Sequence, residues 1–429
     1  MYFIRGDSFV CSNDLDQCMI VHKYVSCFRL SKVENVITGW IEKSTPQRMG
    51  APMPVLFFIL LLLSACGPKP IERQSPLDTA ENQYRRGLTS LERGDQIGAH
   101  RAFERARMLD AEYPGIYVGY ALVAMQRGDF FRAHKELELA LHKDNDFIDA
   151  LIAQGRLRTR QGTTRGENPK KWLPDALRAY KKAEDKAPDY PPIHYYRGQS
   201  YLDAQNLPLA RQAFTRLIEV NRGPLVHQAM QKVEQIQMVE RAAPGTSVGI
   251  KIGLVAQISR AELAVLLLEE LKIDVLIQKR GTDHGELSFR SPDHQSGTVP
   301  IAVDIDHSWA KPWIEEILAL GVPGLEVFPD QTFQPNQPLT RAHYAMVNQG
   351  VLVLLSGDRT LPTRYIGEPS RFPDVRGDFY AYNAIALSTE RGFMAADKRT
   401  GKFYPERNVS GAEALLTIRE LQNSFRMEF

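Results

Sequence analysis

Two arginines stand where helix chemistry disfavours them. Arg260 and Arg341 follow hydroxyl residues suited to capping a helix, in Ser259-Arg260-Ala-Glu262 and Thr340-Arg341-Ala-His343, and a third copy, Ser410-Gly411-Ala-Glu413, has glycine at the arginine position. Ser-x-x-Glu forms a capping box in which hydroxyl and carboxylate each satisfy a free backbone donor of the first turn. That accounts for the Ser and the Glu, but not for a cation at the positive end of the helix dipole. A fork of guanidinium donors at a helix start suits a carboxylate ligand. The sequence offers no folding reason for either charge, so Arg260→Ala with Arg341→Ala is expected to leave melting nearly unchanged while ligand binding falls.

Other chemistry finds little support. Asp283-His284, Asp293-His294 and Asp306-His307 lack the ligand spacing of a zinc site. No Gly-rich phosphate loop, nucleophile elbow or Cys/His pair is present. A non-enzymatic binding protein with no cofactor and no metal is expected. The formal net charge of +2 advertises no basic face for nucleic acid.

Cysteine usage carries a further signal. Cys11, Cys18 and Cys27 lie within the first thirty positions, which leaves Cys66 beside the folded part. An unbroken apolar run from Pro54 to Leu63 precedes it, too short to span a bilayer and of the length of a signal-peptide core. The run ends in Leu63-Ser-Ala-Cys66-Gly67, which resembles a bacterial lipobox. The resemblance implies diacylglyceryl attachment at Cys66, cleavage before it and acylation of the new N-terminus, enough for durable membrane anchoring. Residues 1–48 are then an unstructured extension upstream of the true translation start, 49–65 a signal peptide and 66–79 a tether. Gly67 after the cysteine fits an outer-membrane anchor facing the periplasm in a two-membrane cell.

The elements that must position the arginines are helical. Ala310, Ile314, Ile317, Leu318 and Val322 recur at helical spacing before a Gly/Pro break. Phe328-Pro-Asp-Gln is a turn, and a second helix starts at Thr340. Phe372-Pro-Asp374, Tyr380-Ala381, Ala384-Ile385, Arg391-Gly392, Phe403-Tyr-Pro405 and Ser410 repeat that order, while only the second helix is evident around Ser259.

The full copy from Asp304 to Ala345 resembles an S-layer homology (SLH) repeat, a module that holds exported proteins against a cell-wall polymer. The resemblance implies a threefold prism and a wall-binding role for Arg260, Arg341, Asp304, Trp309 and Asp374, on peptidoglycan or an acidic saccharide. By their spacing, Trp309 and Trp313 either stack on sugar or pack in the core. Asp304 and Asp374 are helix caps, ligand contacts or both. Gly411 weakens the third groove, where Gly411→Arg is expected to restore affinity.

Upstream, Gly87, Ala99, Phe103 and Ala106 recur as Ala121, Ala133, Leu137 and Ala140 at an offset of 34 residues. Small residues where helices cross, with a bulky one between, resemble the tetratricopeptide (TPR) repeat. Gly155, Ala176, Tyr180 and Ala183 form a third unit; Gly198, Tyr201, Ala210, Phe214 and Leu217 form a fourth. The resemblance implies a concave groove lined by Tyr84, Leu88, Gln126, Arg156, Arg160, Tyr195, Gln199 and Asp203 that takes a protein partner, with the arginines suited to an acidic or C-terminal peptide.

The fold class expected is all-α: a TPR solenoid over 80–222, a capping helix and linker over 223–245, and an SLH domain over 246–429. The last comprises a partial repeat at 249–272, an insertion at 279–300, and full repeats at 301–356 and 370–424. Ala242-Ala-Pro-Gly245 is expected to separate two independent cores. An envelope adaptor whose two parts both bind proteins is the alternative function; a wall-active enzyme is a third.

Overall fold

The computed structural model describes residues 73, 75–283 and 301–428. Cys66, the segments 1–48 and 49–65, and most of the 66–79 and 279–300 segments lie outside the described residues.

Four helix hairpins follow one another: α1 (Ala80–Glu92) with α2 (Gln96–Leu109), α3 (Gly115–Gln126) with α4 (Phe130–Lys143), α5 (Ile148–Thr164) with α6 (Pro169–Lys186), and α7 (Pro191–Asp203) with α8 (Leu207–Val220). Every second helix begins at a short polar cap: Asp95, Asp129, Asn168 and Asn206 accept from backbone N–H groups of the first turn. The first helices also touch in series, α1 to α3 to α5 to α7, which makes the array a solenoid.

Each crossing is a knob in a hole. A Cβ on Gly87 would lie 2.2 Å from the Phe103 ring, one on Gly155 2.5 Å from Tyr180, and one on Gly198 2.8 Å from Phe214. In the second repeat the sizes shift together: Ala121 stands where the others have glycine, and Leu137 where they have an aromatic ring, all fully buried. Close packing rewards matched volumes rather than any one residue pair.

Helix α9 (Leu225–Ala242) covers α8, as expected of a cap. It does not end the core. A single apolar cluster runs from Leu202 in α7 to Phe425 in the last helix, so no gap falls at Ala242-Ala-Pro-Gly245. The expectation of two separate cores is not met, because α9 turns its second face to α16 (Gly411–Glu428). A Cβ on Gly253 would meet Leu415 at 2.5 Å and Val239 at 3.0 Å.

The C-terminal part comprises α10 (Ser247–Gly253), α11 (Arg260–Leu266) with a π turn at Leu267–Leu271, α12 (Ile273–Asp283), α13 (Lys311–Leu320), α14 (Arg341–Ser356), α15 (Tyr382–Glu390) and α16. The π turn aims two adjacent carboxylates at different partners. Glu270 accepts from Gly245 N (2.8 Å), Thr246 N (3.0 Å) and Thr246 Oγ1 (2.6 Å), while Glu269 accepts from Trp313 Nε1 (2.9 Å).

The pseudo-threefold arrangement is written in backbone hydrogen bonds. Ile258 N donates to Val409 O, Val409 N to Leu339 O, and Leu339 N to Ile258 O, each at 2.9 Å. The three residues immediately precede the capping residues Ser410, Thr340 and Ser259, so the ring fixes all three helix starts around one axis. Among the described residues the chain forms helices and isolated bridges, with no strand.

Candidate functional site

Helix starts and loops meet between successive repeats. Arg260 N and Ala261 N donate to Gln337 O (3.0 Å) and Pro335 O (3.1 Å); Arg341 N and Ala342 N donate to Arg407 O (2.8 Å) and Pro405 O (2.9 Å). Each pairing joins the start of one second helix to the loop of the next repeat. Both capping boxes are present: Ser259 with Glu262, and Ser410 with Glu413. At the middle helix, His343 N donates to Thr340 Oγ1, without a returning carboxylate.

The arginines have a folding role that spacing did not reveal. Arg260 is 6% exposed and Arg341 5%. Arg260 donates from Nε to Phe333 O (2.8 Å), from Nη1 to Gly324 O (3.1 Å) and from Nη2 to Glu326 O (2.8 Å). Its guanidinium carbon also lies 4.7 Å from the ring centres of both Phe328 and Phe333. Arg341 repeats the pattern with Phe403 O (2.8 Å), Ala395 O (2.7 Å) and Glu413 Oε1 (3.2 Å). Burial pushes both guanidinium pKa values down, opposed by the facing carboxylates, Glu326 and Asp304 for Arg260 and Glu413 first for Arg341. The expectation that both are dispensable for folding is therefore overturned: each one staples a loop of the next repeat.

Asp304 and Asp374 hold the same loops from the other side. Asp304 accepts from Phe333 N and Gln334 N, both at 2.8 Å; Asp374 accepts from Phe403 N (2.9 Å) and Tyr404 N (2.7 Å). Gln334 and Tyr404 are left-handed, at φ 55° and 57°, a conformation costly for residues other than glycine. The carboxylates clamp that turn. They cap neither α13 nor α15, whose N-caps Ala310 and Ala381 make no side-chain bond.

Aromatic side chains mark the open faces. Trp309 is 56% exposed and Tyr380, at the matching position, 61%. Trp309 thus lies outside the core, whereas Trp313 is half-buried and tied to Glu269. The two indoles sit 5.9 Å apart, and Tyr380 lies 6.4 Å from the His343 ring.

The third groove is filled by the chain itself. Gly411 N donates to Val255 O (2.9 Å), so the short segment after α10 takes the place of the loops in the other two grooves. A Cβ at Gly411 would lie 1.7 Å from Ile252 O. Gly411→Arg therefore has no room, and the expectation of restored affinity there is withdrawn. The seven-residue α10 escaped the sequence reading; its capping residue, Thr246, was the available signal.

In the solenoid the expected groove residues divide. Tyr84 is 2% exposed, and its hydroxyl donates to Asp149 Oδ2 (3.0 Å) while Tyr190 donates to Oδ1 (3.0 Å). Burial, then Asp149, raises the Tyr84 pKa well above its ordinary value. Tyr84 is thus a brace between repeats rather than an open contact, and Asp149 is the residue that spacing missed. Arg156 stacks on Tyr196 at 4.0 Å, and Gln199 donates to Tyr195 Oη (3.2 Å). Leu88, Tyr195 and Gln199 are half-buried; Gln126 and Arg160 are exposed. Desolvation by neighbouring protein raises the pKa of Asp203 against the pull of Arg160 and Lys232. Burial lowers the pKa of Lys232 on α9, against the pull of Asp203.

The S-layer homology domain family model matches residues 303–345 and 371–415. A solved thermophilic TPR protein of Thermus thermophilus is similar at 18% identity and a TM-score of 0.33, covering 48% of this chain and 97% of that chain. No curated protein matches. The C-terminal part of the chain thus carries two matches to the S-layer homology domain, behind a solenoid of four helix hairpins.

Proposed function

We propose that this is a non-enzymatic cell-envelope lipoprotein, anchored through Cys66, whose solenoid gathers a protein partner while its C-terminal module docks on peptidoglycan or an attached acidic polymer. The observation that carries the reading is the pair of matching junctions between repeats, each with a loop fixed by a buried arginine and a carboxylate clamp, in repeats that also carry an exposed aromatic side chain, Trp309 or Tyr380. Residues that make a rigid loop and leave a large ring in water are arranged for contact, because an exposed Trp or Tyr contributes little to folding. Arg260, Arg341, Asp304 and Asp374 serve this binding by shaping the grooves, and Trp309 and Tyr380 meet the saccharide. The solenoid supplies Arg156, Arg160 and Lys232 for an acidic or C-terminal peptide segment.

Sedimentation with purified sacculi tests the wall role. Replacing Trp309 and Tyr380 by alanine is expected to weaken binding by roughly one to two powers of ten, as for paired aromatic hot spots, with unchanged melting. Equal sedimentation of variant and wild type leaves the protein-binding adaptor as the better account.

A further inference from the structure

Of the module's three repeats, only the second and third bring both of their helices. In each, the first helix packs on the second helix of the repeat before it: α13 on α11, and α15 on α14. Threefold closure leaves one such slot to fill, against α16, where a first helix belonging to α11 would lie. The helix found against α16 is α9, from the end of the solenoid.

The match holds position by position. α13 ends at Leu320 and α15 at Glu390, each twenty residues before the capping hydroxyl of its second helix, Thr340 or Ser410. α9 ends at Ala242, seventeen residues before Ser259. Counted back from those ends, the sixth and third residues are Ile314 and Ile317 in α13, Ala384 and Leu387 in α15, and Ile236 and Val239 in α9, all of them buried. A left-handed residue follows each helix, Gly321, Gly392 and Ala243, at φ 65°, 75° and 47°. Alanine keeps that conformation only where its surroundings hold it there. Between helix end and hydroxyl, the short α10 stands where the other two repeats have their loops.

The same helix is bound into the solenoid. Its Glu240 pairs with Arg211 of α8 at 3.3 Å, and its Ala229 is fully buried. Toward the module, Val239 of α9 and Leu415 of α16 flank Gly253 so closely that it has no room for a side chain. A helix that only ends a solenoid presents a polar outer face, whereas α9 presents Val239 to the module. We infer that α9 serves both parts at once, as the last helix of the solenoid and as the first helix of the module's first repeat. The solenoid thereby completes the module's threefold core. The two parts are one rigid unit, and whatever shifts α9 also acts on α16 and on the three helix starts. This holds whatever either part binds.

Hydrogen exchange of the full protein tests this, read by mass spectrometry on peptides from α8, from α16 and from the ring of Ile258, Leu339 and Val409. Ile236→Ala leaves a cavity at a fully buried position and is expected to speed exchange roughly tenfold or more in α8, in α16 and at the ring together. Ile314→Ala, the matching change in α13, is expected to speed exchange in α11 and at the ring while α8 stays slow. Ile116→Ala, equally buried in α3, is expected to act on the first hairpins alone. Should alanine at position 236 prevent folding, Ile236→Val is expected to give the same pattern at roughly two- to tenfold. Acceleration confined to α8, or confined to α16 and the ring, overturns the inference, because α9 then belongs to one part only; so does no acceleration in any of them. An Ile116→Ala variant that speeds the ring as much as the Ile236 variant also overturns it, since the whole chain then opens as one and α9 has no special place.

Discussion

In the solenoid, the Phe103 ring fills the hole over Gly87, sixteen residues earlier in the chain. In the C-terminal module, Arg260 reaches carbonyls 64 to 73 residues away, and the ring through Ile258, Leu339 and Val409 closes over 151 residues. Both parts are helical, repetitive and apolar at the core, yet the helices of a hairpin in the first are matched by local apolar fit, while the repeats of the second are also tied by long-range polar staples. Local fit tolerates paired exchange, because only the summed volume matters. A staple does not, since its loss strands several buried carbonyls together.

The largest effect expected is at the staples. Arg260→Ala removes the donors to Phe333 O, Gly324 O and Glu326 O, and roughly 3 kcal/mol or more of module stability is expected to go with them at about 1–3 kcal/mol for each unpaired buried group. Arg260→Lys is expected to recover little, since an ammonium cannot reproduce a fork spread over three acceptors. Denaturant unfolding followed by tryptophan fluorescence reads this; an unchanged midpoint for the alanine variant breaks the contrast.

The middle effect sharpens the other side. Gly87→Ala pushes a methyl group into the Phe103 ring and is expected to cost about 1–3 kcal/mol. Adding Phe103→Leu reproduces the Ala121 and Leu137 pairing of the second repeat and is expected to recover much of the loss. Additive damage in the double variant means that the two positions do not compensate by volume.

The smallest effect is one of pH. His194 is 1% exposed, with Nε2 against Pro188 O at 2.8 Å and Nδ1 against Arg197 Nη2 at 3.0 Å. Burial lowers its pKa in the fold below the ordinary value of about 6.5. The unfolded chain therefore binds the proton more readily, so solenoid stability is full above the unfolded pKa and falls as pH drops through that value toward the folded one. His194→Gln is expected to flatten the melting curve between about pH 7 and pH 5; an identical slope in both proteins rules out this histidine as the source.

Legibility in the sequence follows the same divide. The 34-residue offset, the Gly and aromatic pairings and the capping boxes were readable because their partners lie within one helical hairpin or one turn. The role of Arg260 was not, because nothing near it in sequence accepts its donors; the carbonyls arrive with the next repeat. Asp304 and Asp374 were noticed for their place before a helix, yet they act on loops 29 and 30 residues later. Asp149 carried no signal, since its two tyrosine partners lie 65 and 41 residues away on either side. Gly411 was read as a missing arginine, whereas its lack of a side chain is what lets Ile252 approach.

The ring of Ile258, Leu339 and Val409 also sets an order of events during synthesis. A hairpin such as α1 with α2 has its partners in hand as soon as both helices have emerged, so the solenoid can grow one repeat at a time. The three helix starts of the module cannot be fixed around their axis until Val409 is available, and Arg341 waits for Phe403 and Glu413. Loop closure on that scale is slow compared with helix pairing. The module's helix starts are therefore the last part of the molecule to be fixed, after the first hairpins of the solenoid have already paired.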